Sequence, residues 1–136
     1  MSIHRFNLEG SGLTRVLGEL EARIMEAVWR LGMPTGKELC AALSPGSHYK
    51  TVLTVANRLV EKGLLSREPA GVRAFRYRAV ESREAFLERV SATVASGLMG
   101  DFGAQALAQL VNAAEAVDPA YLDELERLVR ERKRAV

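Results

Sequence analysis

Between residues 48 and 80 the chain carries seven cations, Lys50, Arg58, Lys62, Arg67, Arg73, Arg76 and Arg78, against two acids, Glu61 and Glu68. A local +5 of this kind is the electrostatic footprint of a surface that meets phosphates, and a solvated basic face is its plain alternative. Within it lies Tyr49-Lys50-Thr51-Val52-Leu53-Thr54-Val55-Ala56-Asn57-Arg58-Leu59-Val60-Glu61-Lys62. If this segment is a helix with Val52, Val55, Ala56, Leu59 and Val60 inward, its ~100° step leaves Lys50, Thr51, Leu53, Thr54, Asn57, Arg58 and Glu61 outside. Amide and hydroxyl side chains can hydrogen-bond base edges, Arg and Lys can contact guanine or phosphate, and Leu53 or a Thr methyl can pack on a thymine methyl. A recognition helix enters the major groove by its N-terminal turns, so Tyr49, Lys50, Thr51 and Thr54 are expected nearest the bases and Arg58 on phosphate.

The surrounding pattern supplies what would hold such a helix. Residues 1–18 mix Gly10, Ser11, Gly12 and Gly18 with isolated apolar residues and read as a loosely structured arm. Leu20, Ile24, Ala27, Val28 and Leu31 recur at helical spacing, widened by Met25 and Trp29, and predict a first helix from Glu19 to about Gly32. Thr35-Gly36-Lys37-Glu38 is a capping-box pattern opening a short second helix, with Leu39, Ala42 and Leu43 on its apolar face and Ser44-Pro45-Gly46-Ser47 as its stop. The third helix runs from Tyr49 to Lys62 and ends at Gly63. The period then shortens to two. Leu64–Glu68 and Ala74–Val80 read as strands around a tip containing Gly71, with Phe75 and Tyr77 on one face and Arg76 and Arg78 on the other. Three helices and a basic hairpin with Arg73 at its tip form a winged helix-turn-helix, expected over residues 19–80.

Helical spacing returns from Ser82 and lasts nearly to the end. Phe86, Leu87, Val90, Val94 and Leu98 mark one helix, Gly100-Asp101 an expected break, Leu107, Leu110 and Val111 a second helix, and Asp118-Pro119 the start of a third. In that last helix Leu122, Leu125, Leu128 and Val129 share a stripe among alternating charges. Three amphipathic helices after a finished small domain need a surface to cover, and residues 81–136 are therefore expected to form a homodimer. The fold class expected is mainly α with a small β-hairpin. The charge divides accordingly, since residues 1–80 hold 12 Lys+Arg and 7 Asp+Glu, and residues 81–136 hold 7 and 10.

Other functions find little support. One cysteine and two histidines cannot supply a closed zinc site or an internal disulfide. Cys40 sits among Leu39, Ala41 and Ala42, where a small buried residue is the ordinary case. No nucleophile, acid–base pair or metal set stands out, so neither catalytic residues nor a cofactor is expected. No apolar run approaches roughly 18 residues and no secretory h-region opens the chain, which points to a soluble protein of the reducing cytoplasm without a membrane partner.

The residues 17–29, Leu17-Gly18-Glu19-Leu20-Glu21 leading into Ile24-Met25-Glu26-Ala27-Val28-Trp29, together with Lys50-Thr51-Val52-Leu53-Thr54-Val55-Ala56-Asn57-Arg58-Leu59 and the Phe75-Arg76-Tyr77 strand, resemble the penicillinase-repressor (BlaI/MecI/CopY) family of bacterial regulators over about residues 17 to 130. The resemblance implies a winged-helix DNA-binding domain, a helical dimerisation region and repression at palindromic operators on double-stranded DNA. Lys50, Thr51, Thr54 and Arg58 match the family's recognition helix, and Arg73 its wing. Leu53 replaces the Arg of the best-known members, which implies a different operator. Members that respond to β-lactams are cleaved at an Asn-Phe bond, whereas the corresponding Gln109-Leu110-Val111-Asn112-Ala113 has none. Copper-responsive members end in a cysteine cluster, whereas this chain ends Glu131-Arg132-Lys133-Arg134-Ala135-Val136. Induction by either route is therefore not expected.

Two competing readings carry less. A winged helix can dock proteins without touching DNA, but docking gives no reason to concentrate charge on the third helix and hairpin. A small effector among Phe86, Leu87, Phe102 and Leu107 is the lesser reading of a cluster that is ordinarily dimer core.

Overall fold

The helical spacing of residues 20–31 is realised in α1 (Glu19–Leu31), where Ala22, Ile24, Met25, Ala27 and Val28 are buried. Leu31, expected on the same face, is exposed instead, because the helix ends there at Gly32 with a backbone φ of 88°. The computed structural model describes residues 6–43 and 48–135, so the Ser44–Ser47 stop lies outside the described residues. α2 (Gly36–Ala42) opens on the expected capping box, in which the Thr35 hydroxyl accepts from the Glu38 amide and a Glu38 oxygen accepts from the Thr35 amide, both at 3.1 Å. Reciprocal caps of this kind stabilise a short helix by ~1 kcal/mol. α3 (Tyr49–Glu61) buries Val52, Val55, Ala56 and Leu59 against α1 and α2, each Val or Leu contributing about 1.5–3 kcal/mol. It stops at Gly63, whose φ of 82° is one that a Cβ-bearing residue rarely adopts.

The hairpin pairs β1 (Leu65–Pro69) with β2 (Phe75–Ala79), from Leu65 opposite Ala79 to Pro69 opposite Phe75; β1 is shifted one residue along the chain from its expected bounds and β2 lies one residue inside them at each end. Burial alternates as the sequence predicts: Tyr77 is buried and Phe75 half-buried, while Arg76 and Arg78 are exposed. The loop ahead of α2 joins the outer edge of β2, because the Tyr77 amide donates to the Pro34 carbonyl at 2.9 Å and Thr35 forms a bridge with Arg76. Three helices and this hairpin make a winged helix-turn-helix, and the fold is mainly α with one small hairpin.

The described part of the arm, residues 6–18, contains a regular turn. A 3-10 turn at Gly12–Arg15 buries Leu13, and the Arg15 guanidinium donates to the Leu8 carbonyl at 3.0 Å. After the hairpin α4 (Arg83–Phe102) starts at Ser82, whose hydroxyl accepts from the Ala85 amide. Its first turns belong to the core. Phe86 is fully buried 5.6 Å from the Trp29 ring, Val90 is also buried, and the Trp29 indole N–H donates to the Glu81 carbonyl at 3.0 Å. The chain divides into two compact units after Val90.

The expected break at Gly100-Asp101 is absent. α4 passes through both residues and the chain turns at Gly103, with φ of 51°. An interior Gly costs a helix only ~1 kcal/mol, too little to end it, whereas the left-handed backbone needed for the turn favours glycine. α5 (Ala104–Val117) and α6 (Ala120–Arg134) pack against each other, with the Asp118 carboxylate accepting from the Ala120 amide at 2.9 Å. From Ser91 onward no described residue is buried.

Two outcomes follow from this packing. Phe86→Ala should destabilise the chain by about 3–5 kcal/mol in urea unfolding, as for other buried aromatics; a cost near zero would contradict its place beside Trp29. Burial of Glu21 pushes its carboxyl pKa up, but the Lys62 ammonium at 2.7 Å and the Gly18 amide outweigh burial and hold it below the ordinary value. A depressed carboxyl contributes stability above its unfolded pKa and loses it as pH falls through the folded one. The stability difference between the parent chain and Glu21→Gln should thus be present at neutral pH and fade in acid, and a pH-independent difference would contradict the pairing.

Candidate nucleic-acid interface

The sequence places Tyr49, Lys50, Thr51, Leu53, Thr54, Asn57 and Arg58 on one side of α3, and the structure divides that set in two. His48, Tyr49, Lys50, Thr51, Thr54 and Arg58 are exposed, whereas Leu53 and Asn57 are half-buried. The Thr54 hydroxyl donates to the Lys50 carbonyl at 2.8 Å. Its oxygen lone pairs and its methyl therefore remain as the groups it presents outward. Leu53 lies so close to α2 that a Cβ on Gly36 would stand 2.7 Å from one of its methyls. It seats α3 on α2 as well as bordering the exposed face.

Asn57 joins α3 to the hairpin. Its Oδ1 accepts from the Arg67 guanidinium at 2.8 Å and from the Tyr77 hydroxyl at 3.0 Å, and Arg67 and Tyr77 face each other across the strands. The same guanidinium lies 4.3 Å over the Phe75 ring. Burial raises the Tyr77 phenol's pKa, so it stays a neutral donor to Asn57. Arg76 has a comparable task on the other face, donating to the Met33 carbonyl at 2.9 Å and reaching Glu38 at 3.4 Å. Glu38 is held below the usual carboxylate range, first by the Thr35 amide and hydroxyl and then by Arg76. The sequence alone groups Asn57 and Arg76 with groove-contacting residues, and in the structure both also fix the hairpin to the helices.

The cations divide in the same way. Lys62, Arg67 and Arg76 hold partners in the domain, while Lys50, Arg58, Arg73 and Arg78 form no ion pair among the described residues. Between the start of α3, the start of α2 and the hairpin tip lies a cleft of about 370 Å³, bordered by Lys37, Tyr49, Leu53, Arg67, Val72 and Arg73. The sequence counts Arg67 only within the basic excess of residues 48–80 and Lys37 only within the capping-box segment, and it assigns neither to the candidate interface. Nothing in their local pattern marks them, because their place beside Arg73 depends on how the hairpin folds back.

The residues expected to dimerise are scattered. Phe86 and Val90 belong to the core of the first unit, Leu87, Val94, Leu122 and Leu125 are half-buried, and Leu107, Leu110, Leu128 and Val129 are exposed.

Asn57→Leu should leave two donors without an acceptor and cost about 1–3 kcal/mol in thermal or urea unfolding, more than Tyr77→Phe, which removes one neutral hydrogen bond worth about 0.5–1.5 kcal/mol. The opposite order would contradict the junction described.

A curated relative, described as an uncharacterized 16.5 kDa protein in the ptsI 3′ region of Latilactobacillus sakei, is 32% identical over 94 residues. That match takes in 68% of this chain and 64% of the relative, so the chain spans less than two thirds of that protein's length. Among solved structures, that of the CopR repressor is 30% identical, matched over all of its own chain and 57% of this one with a TM-score of 0.41. The complex structure of hsRosR-S1 is 18% identical, matched over 99% of its chain and 82% of this one, with a TM-score of 0.47. The family model described as penicillinase repressor matches residues 17–131, from just before α1 to the penultimate turn of α6, and the chain therefore belongs to that family.

Proposed function

We propose that this protein is a DNA-binding transcriptional repressor of the cytoplasm that acts as a homodimer on an inverted-repeat operator. The observation that carries the reading is the outer side of α3. There Lys50, Thr51, Thr54 and Arg58 stand exposed beside a hairpin whose tip holds Arg73, and none of these cations is neutralised by an ion pair among the described residues. A structural helix face ordinarily carries both signs in local pairs, as α6 does between Arg127 and Glu124, Arg127 and Glu131, and Arg130 and Glu126. Unpaired cations with short hydroxyl side chains fit a groove that offers phosphates and base edges.

In this reading the first turns of α3 enter the major groove, Thr51 and Thr54 meet base edges, and Lys50 and Arg58 meet phosphates. Asn57 and Arg76 set the angle of the hairpin. The second copy is called for by the helices after Val90, where Leu107, Leu110, Leu128 and Val129 remain exposed in a unit with no buried described residue. Helices of this kind are marginal alone and gain their stability by burying the stripe. Covering it with the same stripe of a second chain brings two recognition helices to successive major grooves, about one helical turn apart or a small multiple of it. Repression is then steric.

Selection of duplexes from a random pool by the full chain should return an inverted repeat, and sedimentation should give twice the 14.9 kDa chain mass. Arg58→Ala should weaken binding to all duplexes and reduce the salt slope by about 1, whereas Thr54→Val should alter base preference. Failure to enrich any duplex at low salt would favour a winged helix that docks proteins.

A further inference from the structure

Beside the 3-10 turn at Gly12–Arg15, one side of α1 borders a hollow of about 560 Å³. The hollow exists because Ala22 and Ala27 of α1 fill it with no more than their methyls, and Leu13 and Leu43, from the turn and the end of α2, complete a buried apolar floor. Glu19, Arg23, Glu26 and Arg30 of α1 and Arg83 of α4 stand around the rim. We infer that this hollow binds a small organic monoanion, an apolar body bearing one carboxylate, with the body on the alanine floor and the carboxylate on Arg30 and Arg23. None of these residues lies on α3 or the hairpin, so the inference does not rest on the repressor reading.

The spacing of the rim would ordinarily neutralise it. Glu19 and Arg23, like Glu26 and Arg30, stand four residues apart with the acid on the N-terminal side, the order that favours a local ion pair on a helix. The structure forms neither pair. Arg23 donates instead to the Leu43 carbonyl at 2.8 Å, and Glu26 accepts from Arg83 at 2.8 Å. Arg30 is thereby left with no ion pair among the described residues, and Arg23 keeps the N–H groups that Leu43 does not use. With Glu26 matched by Arg83, two guanidiniums face Glu19 alone, an excess of one positive charge that a monoanion balances. A guanidinium fork meets a carboxylate in two parallel hydrogen bonds. An inorganic anion would satisfy the rim but leave the floor uncovered, whereas a concave site of this volume with an apolar floor and a few convergent polar groups suits a small organic ligand.

The test is an NMR titration of the isotope-labelled full chain with 2-naphthoate, naphthalene-2-methanol and 2-naphthylmethylammonium, which share an apolar body and differ in charge. The expected result is saturable binding of the naphthoate with a dissociation constant of about 1 mM or tighter, the scale for a probe of this size, and with the largest shifts at Ala22, Ala27 and Leu43. The alcohol and the ammonium should bind about tenfold more weakly, since neither can accept from two guanidiniums. Arg30→Gln should weaken the naphthoate about tenfold and leave the alcohol unchanged, and as an exposed residue without an ion pair its replacement should leave the melting temperature of the free chain where it is. Glu19→Gln removes the acid that repels the ligand and should strengthen the naphthoate by about two- to threefold, a gain that partial unfolding cannot produce. Equal binding of the three probes, shifts confined to residues elsewhere, or a naphthoate affinity unmoved by both Arg30→Gln and Glu19→Gln would overturn the inference and leave the repressor reading intact.

Discussion

A single carboxamide oxygen sets the geometry on which the candidate interface depends. Asn57 Oδ1 accepts from Arg67 on β1 and from Tyr77 on β2, so one residue of α3 ties both strands to the helix that would enter a groove. A two-stranded hairpin is marginal by itself in water, and this one is held at three points: Tyr77 in the core, the Tyr77 amide on the Pro34 carbonyl, and Arg76 on Met33 and Glu38. Without the Asn57 junction the strands would still pair and stay joined to the loop ahead of α2, but they would lose the side-chain hydrogen bonds that tie them directly to α3.

The same constraint divides the positive charge. Arginines that look equivalent along the sequence differ in what the fold places beside them. Arg67 and Arg76 hold partners in Asn57, Phe75, Met33 and Glu38, while Lys50, Arg58, Arg73 and Arg78 form no ion pair among the described residues. Paired charges hold the platform, and unpaired ones give it a potential. The helices after Val90 show a similar contrast, with charge satisfied by neighbours on α6 and apolar side chains left uncovered.

How far the sequence carries depends on the range of the interactions involved. The helical spacing of Ile24, Ala27 and Val28, the Thr35–Glu38 capping box, the Gly63 terminator and the alternation of Phe75 and Tyr77 with Arg76 and Arg78 are local patterns, and the structure contains each. The differences arise where tertiary contact decides. Phe86 reads as part of an apolar stripe, but Trp29, far away in sequence, buries it in the first unit. Gly100 reads as a helix stop, yet the required left-handed backbone falls three residues later at Gly103. Asn57 and Arg76 read as outward polar residues, and only the returning hairpin turns them into braces. Lys37 was invisible for the same reason, since its nearness to Val72 and Arg73 exists only after the tip folds over the start of α2.

The central claim is that the unpaired cations of α3 and the hairpin form a surface for nucleic acid phosphates, and the dependence of affinity on salt tests it most directly. Each phosphate neutralised releases counterions and steepens the fall of log K with log salt by roughly 0.9 for duplex DNA. For the full chain on its selected duplex the account predicts a steep negative slope, of several units. A slope near zero would mean that binding owes nothing to these charges, and would contradict it.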